Sequence, residues 1–149
     1  MNASTQARTI GIVSKIANIS SIFQSEYPLA LVDFSPWVMS EAEQREFDAN
    51  SLDLSFAFPC WQPDLSCNCI LLQVYYLGDL KSAAYTLSKV KMTGHSYRGQ
   101  HWRFSTHADW QFSGLGIPSQ QQQQQLKFVA SQLHTLFGRS VPVSQSGST

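Results

Sequence analysis

At 149 residues, 43% hydrophobic and 12% aromatic, the chain has enough apolar side chain to bury a core without disulfide or metal staples. Only 13% of residues are charged, and ten cations balance ten acids, which excludes strong attraction of the whole molecule to nucleic acid or an acidic membrane. Three cysteines, an odd number, do not make a secreted disulfide framework, and no apolar run approaches the roughly 18 residues of a membrane span.

Residues 1–8 read as a disordered N-terminus. From Thr9, the set Ile12, Ile16, Ile19 and Phe23 recurs at the spacing of one helix face, and Pro28 ends the helix. The segment lacks acids until Glu26, as an organelle transit peptide would. Lys15, Asn18 and its serines make it a poor secretory signal, so a cytoplasmic location is expected. Pro28–Val32 suits a short strand or an irregular approach to Ser35-Pro36. The next helix begins either at Ser35, with Pro36 in its first position, or at Ser40, where Ser40-Glu41-Ala42-Glu43 spells a capping box.

Leu52, Leu54, Phe56 and Phe58 alternate with Ser51, Asp53, Ser55 and Ala57, the pattern of a strand with one wet face. Pro59 and Pro63 bracket a loop from Cys60 to Ser66. Cys69–Leu77 is the most apolar run of the chain, stopped by Gly78-Asp79, and reads as a central strand with neighbours on both sides. Asn68, Ile70, Leu72, Val74 and Tyr76 are assigned to its core face. Residues 80–92 fit helix or strand. A strand from about Tyr85 is preferred, because Thr93 to Gly99 is turn-like and Gln100–Thr106 reads as its hairpin partner. Asp109–Gly116 reads as an aromatic loop. Leu126, Val129, Leu133 and Leu136 then mark a helix opened by Pro118 or Ser119 and closed by Gly138, with the six glutamines Gln120–Gln125 as its wet first turns.

The expected fold is therefore α+β: a mainly antiparallel sheet of four or more strands (near 52–58, 69–77, 85–93 and 100–106), N-terminal helices and a C-terminal helix packed on one face. A single domain spans 9–138, and 139–149 form a disordered tail. Four antiparallel strands followed by a long helix resemble, in topology alone, the single-stranded-DNA-binding transcriptional regulators.

Charge is sorted along the chain. Residues 1–80 carry three cations against nine acids, whereas residues 81–149 carry seven cations against Asp109 alone. Acids Glu41 to Asp53 could lie over the basic segment 81–103, or leave it open. Cys60, Cys67 and Cys69 with His95, His101 and His107 match no metal module, and buried packing suits free cysteines better. Cys60 as nucleophile, with His101 or His107 as base oriented by Asp109, would need a base beside the thiol; a capped turn explains His107-Ala108-Asp109 as well. No metal and no cofactor is expected.

The preferred reading is a non-enzymatic protein–protein interaction, adaptor or assembly module. It binds a protein partner or a second copy through Trp61, Lys89, Lys91, Arg98, Trp102, Arg103 and Trp110, since tryptophan and arginine are common interface anchors. Two alternatives stand beside it. One is a single-stranded nucleic-acid-binding protein using the basic, aromatic segment 81–103; the other is a small Cys/His-dependent enzyme. No membrane contact is expected.

Overall fold

The computed structural model describes residues 1–48, 50–82 and 84–138, and of 47 and 48 the backbone alone. The tail expected over 139–149 lies outside the described residues. Four helices, α1 (Ala3–Gln6), α2 (Ile10–Glu26), α3 (Glu41–Asp48) and α4 (Gln120–Leu136), accompany six strands. The strands are β1 (Leu31–Asp33), β2 (Ser51–Gln62), β3 (Cys67–Asp79), β4 (Ala84–Ser96), β5 (Gly99–Ser105) and β6 (Gln111–Gly114). They form one sheet in sequence order, every neighbouring pair antiparallel. The α+β class expected from the pattern holds, and no described helix is long and apolar enough to cross a membrane.

The apolar run is β3, between β2 and β4. Ile70, Leu72, Val74 and Tyr76 are buried, as alternation requires. At the start of the strand the parity breaks. Cys67, not Asn68, takes the buried place, because the β2–β3 register shifts between Ala57 and Gln62.

Helices α2 and α4 cover one face of this sheet. The Thr9 hydroxyl accepts from the Ile12 N–H at 3.2 Å and starts α2, whose Ile12, Ile16, Ile19 and Phe23 are all buried. Phe23 stacks on Phe56 of β2 with ring centroids 3.9 Å apart. From α4 come Leu126, Val129, Ala130 and Leu133. Three polar contacts tie the two helices together: Lys15 Nζ donates to the Leu136 carbonyl (2.7 Å), Tyr27 Oη to Gln122 Oε1 (2.8 Å), and Gln125 Nε2 to the Glu26 carbonyl (3.0 Å). Two members of the glutamine run thus join the helix pair instead of facing water.

Several expectations are corrected. The N-terminus expected to be disordered over 1–8 buries Met1, Asn2 and Ala3. Asn2 bridges β2 on its outer side past the end of β1, with the Asp53 N–H donating to the Met1 carbonyl at 2.9 Å. The Met1 ammonium lies 2.9 Å from Asp53 Oδ2, and Trp37 Nε1 donates to the same oxygen at 2.6 Å. The Ser51–Asp53 side of β2, expected to be wet, is therefore covered. Burial pushes the Asp53 carboxyl above its ordinary pKa, against the pull of that ammonium. The second helix starts after Ser40, not Ser35, and its capping box is made: Ser40 Oγ accepts from the Glu43 N–H (3.2 Å) while Glu43 Oε1 accepts from the Ser40 N–H (3.0 Å).

β2 continues through Pro59 and Cys60 to Gln62, so Trp61 belongs to a strand, not a loop. Thr93 and Gly94 lie within β4, and the turn is confined to Tyr97-Arg98. Gly94 is there for packing, since a Cβ on it would come within 2.2 Å of the Trp102 ring. The aromatic loop expected over 109–116 contains the edge strand β6. Its Phe112 stacks on Phe104 at 4.6 Å.

Candidate functional site

With both long helices on one side, the other side of the sheet shows its side chains in registered rows. Asp33, Ser55, Leu71, Thr93, Arg103 and Ser113 pair successively across all six strands. A second row runs Asp53, Gln73, Lys91, Ser105 and Gln111, and a third Ser51, Tyr75 and Lys89. Met1, Asn2 and Trp37 cover the β2 end of these rows through the contacts at Ser51 and Asp53. Towards β4 and β5 neither long helix covers the face; Gln73 and Thr93 are buried among their neighbours, Lys89 and Lys91 are half-buried and Arg103 is exposed, and the charge of this bare face is positive.

Lys89 lies over the Tyr75 ring, 4.6 Å from its centroid. Lys91 and Arg103 stand among Gln73, Thr93, Ser105 and Ser113. Arg98 packs on the Tyr97 ring at 5.6 Å, and its Nε donates to Tyr97 Oη at 3.1 Å. Among the described residues, none of these four cations is paired with a carboxylate. Among the described acids of the segment, Glu41 directs its two oxygens to Arg8 and Arg45 and Asp53 faces the Met1 ammonium, so neither pairs with these cations. Asp33 shares the row of Arg103 but sits four strands away, about 19 Å at the usual strand spacing. That exceeds the screening length of about 8 Å at physiological salt, so Asp33 does not neutralise it.

At the corner where the β2–β3 and β4–β5 hairpins meet, Trp61, Asn68, Ser96, Tyr97, Arg98 and His101 line a cavity of about 360 Å³. Trp61 is 46% exposed and meets the His101 ring edge-on at 5.3 Å. His101 Nε2 is 2.6 Å from Ser96 Oγ, and the neighbouring His95 Nε2 is 2.7 Å from Thr93 Oγ1. Burial, with His101 close by, holds His95 below the ordinary imidazole pKa, so it is neutral at pH 7.

The expected site residues therefore divide. Trp61 and Arg98 line the corner cavity, and Lys89, Lys91 and Arg103 occupy the bare face. Trp102 and Trp110 belong to the core instead. Trp102 is wholly buried with its Nε1 donating to the Leu65 carbonyl at 2.7 Å. Trp110, in the left-handed region at φ 59, packs on Phe104 and His134. Aromatic identity made both look like anchors, whereas the alternation of β5 points Trp102 inward. Asn68, Ser96 and Tyr97 are not among the expected binding residues, and His101 entered the sequence reading only as a metal ligand or a base; the short turn before Gly99, which crowds two strand ends together, is the signal that brings them to one place.

Among the described residues, no hydrogen bond joins Cys60 to a histidine. Cys60 is exposed, with Gln62 Nε2 3.6 Å from its sulfur. His107 and Asp109 follow the far end of β5, at the opposite end of that strand from His101. Cys67 is buried and its thiol is pushed up to about 12 by burial, so it is a packing group at neutral pH.

A family model described as a domain of unknown function matches residues 4–139. The chain belongs to that family. The matched span takes in every strand and all of α2, α3 and α4, so the bare face and the corner cavity lie within it. No curated protein and no solved structure matches the chain.

Proposed function

We propose that this chain is a non-enzymatic protein-binding module that docks an acidic protein segment on the bare face of its sheet. The observation that carries the reading is a set of cations without a carboxylate partner among the described residues: Lys89, Lys91 and Arg103 on that face and Arg98 at the corner beside it. Complementary charge steers encounter and fixes register more than it adds affinity. The affinity would come from half-buried Leu71 and Tyr75 and from Trp61, the residue type most often an energetic anchor. Three free cysteines suit a reducing compartment such as the cytoplasm.

A second reading, single-stranded nucleic acid, draws on Trp61, Tyr97 and Arg98 around one cavity, since bases stack on aromatic faces. Against it, the one aromatic ring on the rows themselves, Tyr75, is already covered by Lys89. The stacking surfaces are thus confined to a corner and do not follow a strand-shaped path.

Fluorescence anisotropy with a labelled glutamate-rich peptide and a labelled single-stranded oligonucleotide separates the two. The peptide should bind, and a Lys91→Glu/Arg103→Glu variant should weaken it by at least about tenfold. Oligonucleotide binding that falls steeply with salt and disappears in Trp61→Ala would move the function to the second reading. A stable dimer in sedimentation, lost in the same charge-reversed variant, would make the partner a second copy, offering exposed Glu43 and Glu46. With no peptide bound and no dimer, the docking reading falls.

A further inference from the structure

Away from the bare face, where α1, α3 and the turn after β3 come together, is a cavity of about 340 Å³. That volume is at the lower end of the range for small-molecule sites. Three cations from three separate segments line it: Arg8 after α1, Arg45 on α3, and Lys81 in the single turn Leu80–Ser82. Only two described acids share the lining, Glu41 and Asp79. Asp79 is committed locally, its Oδ1 accepting from the Lys81 N–H at 2.9 Å. Glu41 holds one oxygen towards Arg45 and the other 3.5 Å from Arg8. Among the described residues, no carboxylate lies within ion-pair distance of the Lys81 ammonium.

We propose that this cavity binds a small phosphate monoester, its phosphoryl group held by Arg8, Arg45 and Lys81 in the place the Glu41 carboxylate now takes. Glu41 shows that two guanidinium groups converge on one anionic position. Its carboxyl is held below the ordinary range chiefly by Arg45, with Arg8 and Lys81 adding to the pull, so all three cations bear on that point. Its side chain is 40% exposed at the start of α3 and can turn outward to water. The cavity then has three cations against Asp79, a surplus that matches a dianion. Arginine forks and a lysine point charge are the usual phosphate-binding set. Beyond the phosphoryl position, Thr5, Gln6, Asn50 and the Tyr76 hydroxyl supply a polar wall, and Leu80 an apolar one, as a small polyhydroxy organic group requires. None of the sheet-face cations is used, so this site stands or falls separately from the docking surface.

The test is isothermal titration calorimetry of the whole chain at constant ionic strength, with glycerol phosphate, inorganic phosphate and succinate as probes. Glycerol phosphate should bind saturably at one site, more tightly than inorganic phosphate, and succinate least. Lys81→Ala should weaken it by about tenfold. Glu41→Gln, which removes the competing carboxylate, should tighten it several-fold; that gain is not expected if Glu41 merely braces the fold. Absence of saturable heat in both wild type and Glu41→Gln, or affinity unchanged by Lys81→Ala, would overturn the site. Succinate binding as tightly as glycerol phosphate would overturn its assignment to phosphate, and inorganic phosphate binding as tightly would overturn the organic part.

Discussion

Gly94 and His95, adjacent on β4, illustrate two different constraints on single residues. Gly94 sits under the Trp102 indole, which is fixed from its other side by the Leu65 carbonyl. A methyl at 94 must displace an anchored ring or the strand itself. Gly94→Ala should therefore destabilise by about 1–3 kcal/mol, the usual cost of overpacking, and lower the urea midpoint with an unchanged m-value. His95 is half-buried and neutral in the fold. Its folded-state pKa lies below the unfolded one, so the unfolded chain binds the extra proton first. Its contribution is complete above the ordinary value near 6.5 and is lost as pH falls through the depressed folded value. His95→Gln should flatten the stability profile on the acid side of neutrality, measured by urea unfolding at a series of pH values. An equally steep acid loss in the variant would place its origin elsewhere.

At the scale of elements, α4 shows what a low-complexity tract can do once packed. The six glutamines look equivalent in sequence, but helical spacing separates them. Gln122 accepts the hydroxyl of buried Tyr27, Gln123 Nε2 donates to the Pro118 carbonyl, and Gln125 reaches the end of α2, while Gln121 and Gln124 face solvent. Removing a partner of a buried hydroxyl costs about 1–3 kcal/mol, whereas a solvent-facing change to a good helix former costs almost nothing. Gln122→Ala should thus lower thermal stability clearly and Gln121→Ala hardly at all. Equal effects at the two positions would mean the tract acts through composition alone.

For the molecule as a whole, the charge sorting along the chain becomes a sorting in space, though not the one simplest to imagine. Among the described residues, the acids of the first half do not pair with the cations of β4 and β5. Glu41 turns to Arg8 and Arg45, Asp53 to the buried ammonium, and the cations of β4 and β5 remain bare on the face opposite the helices. Exposed ion pairs contribute little to stability, so unpaired cations there are tolerated, and charge reversal at Lys91 and Arg103 should leave the melting temperature nearly unchanged. A large loss of stability would mean that these side chains hold the sheet together and do not await a partner.

Short-range rules were enough for everything that repeats. The three-four spacing of α2 and α4, the alternation of β2, the apolar β3 and the Ser40–Glu43 box are legible because each depends on residues a few positions apart. Tertiary structure decided what depends on distant partners. Residues 1–3 are ordered by Asp53 and Gln44, Trp102 is claimed by Leu65, and Arg8, Arg45 and Lys81 meet only when three separate segments fold together. Local patterns can say which face of an element is apolar, but which side chains from remote segments come to share one volume is fixed by the packing of the whole chain.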